Sequence, residues 1–303
     1  MIMIKYFFFF TFSIFIFNNT LTGQKKCLKG VVIFNKQKYI DNFSLDYPGC
    51  TEINGSIIID DKHDGEITNL NGLKSISKIN GYLKIGKNPN SGNSKLTNLM
   101  GLKNLTNIGG ALEIYKNESL TNLDGLEQLN EINGDLLVFN NNNLNNFEGL
   151  NNIKLVKGNI GIKGNSGLKN LTGLNKLEII DNHLIIYNNN NIETVSGLNA
   201  LRTIGGSLHF QKNNALFDLS ALSNLEKING PLQIIRNNNL TTLKGLDNID
   251  PYSITELQIL GNSKLSYCGV SSICIYLDNY ANKSTVFENA IGCKTRKEVI
   301  DGE

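Results

Sequence analysis

Apolar residues in this chain recur in a pattern that is copied from one segment to the next. In Gly109–Ile132, GGALEIYKNESLTNLDGLEQLNEI, they alternate at Leu112 and Ile114, then return every third position at Leu120, Leu123, Leu126, Leu129 and Ile132. Aligned on the second glycine, copies begin at Gly110, Gly134, Gly158, Asn182, Gly206 and Gly230, five spacings of 24. Gly55 and Gly81 precede them, at spacings of 26 and 29. A fixed period in this range predicts a solenoid, each repeat forming one coil that buries its apolar side only by stacking on its neighbours.

The alternating half reads L-x-I-x-x-N and predicts a strand with one face inward. Stacking sets these strands side by side in a long parallel sheet, about 4.8 Å per coil, so that about nine coils extend some 40 Å. The asparagines closing the motif, Asn88, Asn117, Asn141, Asn165, Asn189, Asn213, Asn237 and Asn262, are read as a structural ladder, inward amides that bond the backbone of their own and adjacent coils. The three-residue step of the second half resembles a helical seam. Gly125, Gly149, Gly173, Gly197 and Gly245 interrupt it at one place in each copy, and glycine there costs a helix about 1 kcal/mol. Short extended pieces joined by glycine turns are expected, with a short 3₁₀ turn as the alternative.

The period fails at both ends. Before the first coil, Val31–Phe34 is β-prone, and Tyr39, Ile40, Phe43 and Tyr47 follow at helical spacing with Asn35 placed to cap a short helix. Beyond Leu265, Val270, Ile273, Cys274 and Leu277 mark one face of a closing helix. Such lids cover strand edges that would otherwise pair with other chains. The expected organisation is a signal peptide over 1–23, an N-terminal cap over 24–52, the repeat solenoid over 53–267 and a helical C-terminal cap over 268–303. Two irregular stretches, Asp60–Glu66 and Asn88–Lys95, read as exposed loops. Asp60, Asp61 and Asp64 match no ordered cation-binding loop.

The signal peptide rests on Lys5 followed by an apolar run from Tyr6 to Phe17, with a small residue at Gly23. That run is short of the roughly twenty residues a membrane span needs, so export with cleavage is expected, to a secreted or cell-surface location, with no membrane insertion afterwards. The five cysteines, Cys27, Cys50, Cys268, Cys274 and Cys293, avoid the repeats altogether. In an exported chain this predicts disulfide-locked caps. Cys27 pairs naturally with Cys50, and the pairing among Cys268, Cys274 and Cys293 is open. A net charge of +2 does not mark a nucleic-acid binder.

Chemistry has few places to sit. His63, His183 and His209 fall at different repeat positions, no nucleophile–base–acid set is apparent, and no metal or cofactor is expected. The outward strand positions carry more. One column reads Ile58, Lys84, Glu113, Leu137, Gly161, Ile185, His209, Gln233, Gln258, and the next Asp60, Gly86, Tyr115, Phe139, Lys163, Tyr187, Gln211, Ile235, Leu260. Stacking brings Tyr115, Leu137, Phe139, Ile185, Tyr187 and Ile235 onto one face as a candidate interaction patch.

The repeats G-x-L-x-I-x-x-N-x-x-L-T-x-L-x-G-L-x-x-L-x-x-I resemble receptor L-domain-like, leucine-rich solenoids. The ends, YIDNFSLDYPGCTEINGSIII and CGVSSICIYLDNYANKSTVFENAIGCKTRKEV, are similar to caps of exported proteins of Bacteroidetes, especially flavobacteria. The resemblance implies a mainly β fold, a right-handed parallel β-solenoid, with surface or secreted placement and no catalytic residues to carry over. Many such bacterial proteins continue into a C-terminal sorting domain, which this chain does not show. The function expected is non-catalytic recognition of a protein or glycan on the sheet's outward face. A structural or adhesive envelope component is the alternative, and a polysaccharide-acting β-helix enzyme a remote one.

Overall fold

The computed structural model describes residues 25–62 and 64–301. Strands Leu112–Tyr115, Leu136–Phe139, Ile160–Lys163, Leu184–Tyr187, Leu208–Gln211, Leu232–Ile235 and Leu257–Leu260 lie side by side in parallel, each one coil beyond the last. They belong to a 13-stranded sheet. Cys50–Ile59 and Leu83–Ile85 precede them in it, Lys25–Phe34 pairs outside Cys50–Ile59, and Ser284–Phe287 closes the far end. The protein is thus a mainly β, parallel β-solenoid. The alternation explains it: Leu136, Ile160, Leu184, Leu208 and Leu232 share one register level and are completely buried.

The second half of the coils turns out to combine both expected conformations. Two-residue strands at Glu131–Ile132, Leu155–Val156, Ile179–Ile180, Thr203–Ile204 and Lys227–Ile228 form a five-stranded parallel sheet. The apolar residues at the three-residue step, Leu120, Leu123, Leu126 and Leu129 in one coil, are fully buried. Each such side chain contributes about 1.5–3 kcal/mol on leaving water, realised only when a neighbouring coil covers it. The turn glycines Gly125, Gly149, Gly173, Gly197 and Gly245 have φ between 101° and 114°. At the equivalent position of another coil stands Ala221, and there the chain forms a 3₁₀ turn over Ser220–Leu222 instead. Gly101, at the same position of an earlier coil, takes the same 3₁₀ turn over Met100–Leu102, so this turn accepts glycine or alanine, whereas the left-handed φ of the other corners favours glycine.

Inside the strand ends runs the asparagine ladder, from Asn117 to Asn262 every member fully buried. Asn165 shows its bonding. Its Oδ1 accepts from the Asn141 backbone N–H and side-chain Nδ2 at 2.9 and 3.3 Å, while its Nδ2 donates to the Val138 carbonyl at 2.8 Å and to Asn189 Oδ1 at 3.2 Å. The column differs from expectation at its N-terminal end. Asn88 is exposed and bridges Ser91, and the rung is Asn93, whose Nδ2 donates to Asn117 Oδ1 at 2.9 Å and to the Ile59 carbonyl at 3.0 Å. Asn289 adds a rung beyond Asn262.

Asp60 and Asp61 also correct an expectation, since they are 4% and 1% exposed where a solvated loop was predicted. Ser91 Oγ donates to both Asp60 carboxylate oxygens at 2.9 Å, the Asp61 N–H donates to Asn93 Oδ1 at 3.0 Å, and Asp61 Oδ2 accepts from the Ile67 N–H at 2.9 Å. The insertion Asn88–Lys95 folds over this corner and supplies the partners. Asp64 is exposed, and His63 lies outside the described residues.

At the N-terminal end two short helices, Gln37–Asp41 and Phe43–Asp46, replace the single expected one. Asn35 caps neither; the first follows Lys36, which makes no side-chain cap bond. Ile40 and Phe43 are buried, with the Phe43 ring edge-on to Phe34 at 5.9 Å, whereas Tyr39 and Tyr47 are exposed. Cys50 is disulfide-bonded; the Cys27 side chain and the predicted signal segment lie outside the described residues. At the other end the closing helix is Ser271–Asp278, followed by the strand Ser284–Phe287 and a helix over Arg296–Asp301. Cys268 bonds to Cys293. The Cys274 thiol is buried and donates to the Val299 carbonyl at 3.5 Å.

Candidate binding face

Two rows of outward residues cross the middle strands. Leu137, Gly161 and Ile185 form one and Phe139, Lys163 and Tyr187 the other. Gly161 places no side chain between Leu137 and Ile185, which stand two strand spacings apart, about 9.6 Å. The face therefore dips into a groove of about 430 Å³, lined by Leu137, Phe139, Gly161, Lys163, Ile185 and Tyr187, with Asn159 at its end. A methyl group on Gly161 would come within 3.0 Å of Leu137 Cδ2 and 3.1 Å of Phe139 Cε1, so these two side chains already lean over the gap. The volume lies in the range of small-ligand and anchor-residue sites.

Of the six predicted patch residues, the structure brings Leu137, Phe139, Ile185 and Tyr187 together around the groove and leaves two out. Tyr115 is only 5% exposed. Its hydroxyl donates to Glu113 Oε2 at 2.8 Å, Glu113 also pairs with Lys84 at 2.9 Å, and its ring packs on Phe139 at 5.4 Å. It supports the Phe139 wall from behind. Burial, first, and then Glu113 hold the Tyr115 phenol proton more tightly than usual. Ile235 stands two strands beyond Tyr187, past Gln211.

The groove is cationic along one rim. Lys163 Nζ lies 5.2 Å from the Tyr187 ring centroid and Lys212 Nζ 5.7 Å from it, and Lys212 Nζ donates to the Tyr187 hydroxyl at 3.5 Å. Among the described residues neither lysine pairs with a carboxylate. Gly161, Lys163 and Lys212 are the residues that sequence reasoning left out of the patch. Gly161 was visible as the one member of its middle column lacking a side chain.

Further along, the face becomes polar. Gln233 donates to Gln258 at 3.0 Å, Gln258 to Glu256 at 2.7 Å, and Lys283 to Glu256 at 2.6 Å. Between this network and the groove stands His209, whose buried Nε2 has no hydrogen-bond partner and whose pKa burial lowers. His183 lies at a corner, its Nδ1 accepting from the Ser207 N–H at 2.8 Å. Among the described residues no group of three or more His, Cys, Asp and Glu is placed to hold a metal ion. No helix among them is long and apolar enough to cross a membrane.

An apolar groove on the parallel face of stacked leucine-rich coils defines the class, a leucine-rich β-solenoid with a candidate recognition face. The Receptor L domain family model matches residues 49–145, a span that runs from the first coil through the Leu136–Phe139 wall of the groove. No curated protein matches the chain.

Proposed function

We propose that the protein is a non-catalytic, exported recognition module that binds its ligand on the outward sheet face, in the groove over Gly161. The observation that carries this reading is the missing side chain at Gly161. It opens an apolar recess walled by Leu137, Phe139, Ile185 and Tyr187 where a strand of ordinary composition would be flat. Apolar surface gathered at one place is a candidate interaction site, and a recess within it can accept an anchor residue of the kind that dominates binding energy. Export is supported by the Cys268–Cys293 disulfide and by the apolar run of the N-terminal sequence.

The test compares the wild-type chain with a Leu137→Asp, Ile185→Asp double variant. Both positions point outward, so the charges meet solvent and spare the core. Protein pull-down from the native environment and a glycan array should each be run on both chains. Ligand retained by the wild type and lost by a normally melting variant supports the reading. Equal retention by the two chains would contradict it. Self-association lost in the variant would favour a structural or adhesive envelope role, the second reading of this face.

A further inference from the structure

We propose that the groove takes an acidic peptide segment of a protein partner, which sets one aliphatic or aromatic side chain over Gly161 and a neighbouring carboxylate against Lys163 and Lys212. The inference rests on the reading of the groove as the recognition site and names the chemistry of its occupant.

Three observations favour a peptide. The strands carrying Leu137 and Ile185 stand about 9.6 Å apart, and Leu137 and Phe139 lean into the gap between them, so the recess takes one side chain. Its floor offers no unused polar side chain. Asn159, at the end of the groove, already donates from Nδ2 to Asp135 Oδ1 at 2.8 Å and accepts from the His183 N–H at 3.3 Å. A sugar ring pressed onto Leu137 and Ile185 would strip water from hydroxyls without replacing those bonds, at a cost an apolar side chain does not incur. The Tyr187 ring, the natural platform for a sugar, already has two ammonium groups at 5.2 and 5.7 Å from its centroid.

The charge supplies the second half of the specificity. Lys163 and Lys212 stand on one rim without an ion-pair partner among the described residues, and Glu113, on the same face, is engaged by Lys84 and Tyr115. An extended peptide advances about 3.4 Å per residue, so an Asp or Glu one or two positions from the anchor reaches this rim. The charge-assisted bonds formed there are the stronger kind and also steer encounter. Apolar contact and carboxylate contact then report on neighbouring positions of one short motif.

The experiment selects a random peptide display library on the full chain and, in parallel, probes an array of neutral and acidic glycans. Selected peptides should carry Leu, Ile, Met or Phe within two residues of Asp or Glu. Their affinity should fall at least tenfold in Gly161→Val, fall severalfold in a Lys163→Glu, Lys212→Glu double variant, and weaken with added salt. Selected peptides without an acid, or bound equally by both variants, overturn the inference. Glycans bound in a Gly161-dependent manner overturn the peptide assignment and leave the groove as the recognition site. Binding of either class that ignores Gly161→Val overturns the groove reading itself.

Discussion

Asn165 and Gly161 lie four residues apart on the same coil and answer to different constraints. Asn165 belongs to an inward column whose members share one residue type, one burial and one bonding pattern from Asn117 to Asn262. Gly161 belongs to an outward column in which Glu113, Leu137, Ile185, His209 and Gln233 succeed one another without a rule. The inward position is fixed by what stacks above and below it, because its side chain accepts from one neighbouring coil and donates to the other. The outward position is free of that demand, and its side chains are where a ligand can be read.

The contrast is most sharply broken by substitutions on the inward side. Asn165→Ala removes the acceptor for the Asn141 N–H and the donor to the Val138 carbonyl; each buried group left unsatisfied costs about 1–3 kcal/mol. Chemical denaturation should show a loss of about 3 kcal/mol or more, with a broadened transition as the coils on either side uncouple. Replacing Cys268 and Cys293 by Ser opens a bridge of sequence separation 25 and should cost about 3 kcal/mol, read as early amide exchange confined to the C-terminal lid. Gly173→Ala, at φ 108° and with its new methyl driven into the Phe147 carbonyl, should cost more than the backbone strain alone, about 1–3 kcal/mol, whereas Ala221→Gly should stay within about 1 kcal/mol because its coil already uses the 3₁₀ turn.

Outward substitutions should barely move stability. His209 gives the smallest effect, and its sign is set by burial. With its folded pKa lowered, the unfolded chain takes up a proton near pH 6.5 that the folded chain resists. Stability should therefore hold above that pH and fall as the pH drops through it, and His209→Gln should flatten that slope in melts run from pH 8 to pH 5.

How much of this was legible in the sequence follows the same division. The inward columns were readable because stacking enforces repetition: the strands, the buried leucines and the ladder from Asn117 onward stand where the 24-residue period puts them. Asn88 was misassigned because the insertion NPNSGNSK offers several asparagines and its extra length hides the register; only the fold selects Asn93. Asp60 and Asp61 looked like a solvated turn because their partners, Ser91 and Asn93, come from the next coil's insertion. On the outward side, stacking identified Leu137, Phe139, Ile185 and Tyr187. The feature that joins them is an absence of atoms at Gly161, which a search for apolar residues passes over. Tyr115 was counted as exposed because Glu113, two residues earlier on its own strand, gave no sign of tying down its hydroxyl.

The most direct test sets Asn165→Ala beside Gly161→Val on the full chain, measuring the unfolding midpoint and the affinity for one peptide selected on the wild type. Valine suits a strand better than glycine, and its nearest contacts are the flexible ends of Leu137 and Phe139. Gly161→Val should therefore keep or raise the midpoint and lose the peptide, while Asn165→Ala should lower the midpoint and, at temperatures where it is folded, keep the peptide. A Gly161→Val chain that still binds, or an Asn165→Ala chain that melts normally, would contradict the division between a face that folds the protein and a face that reads its ligand.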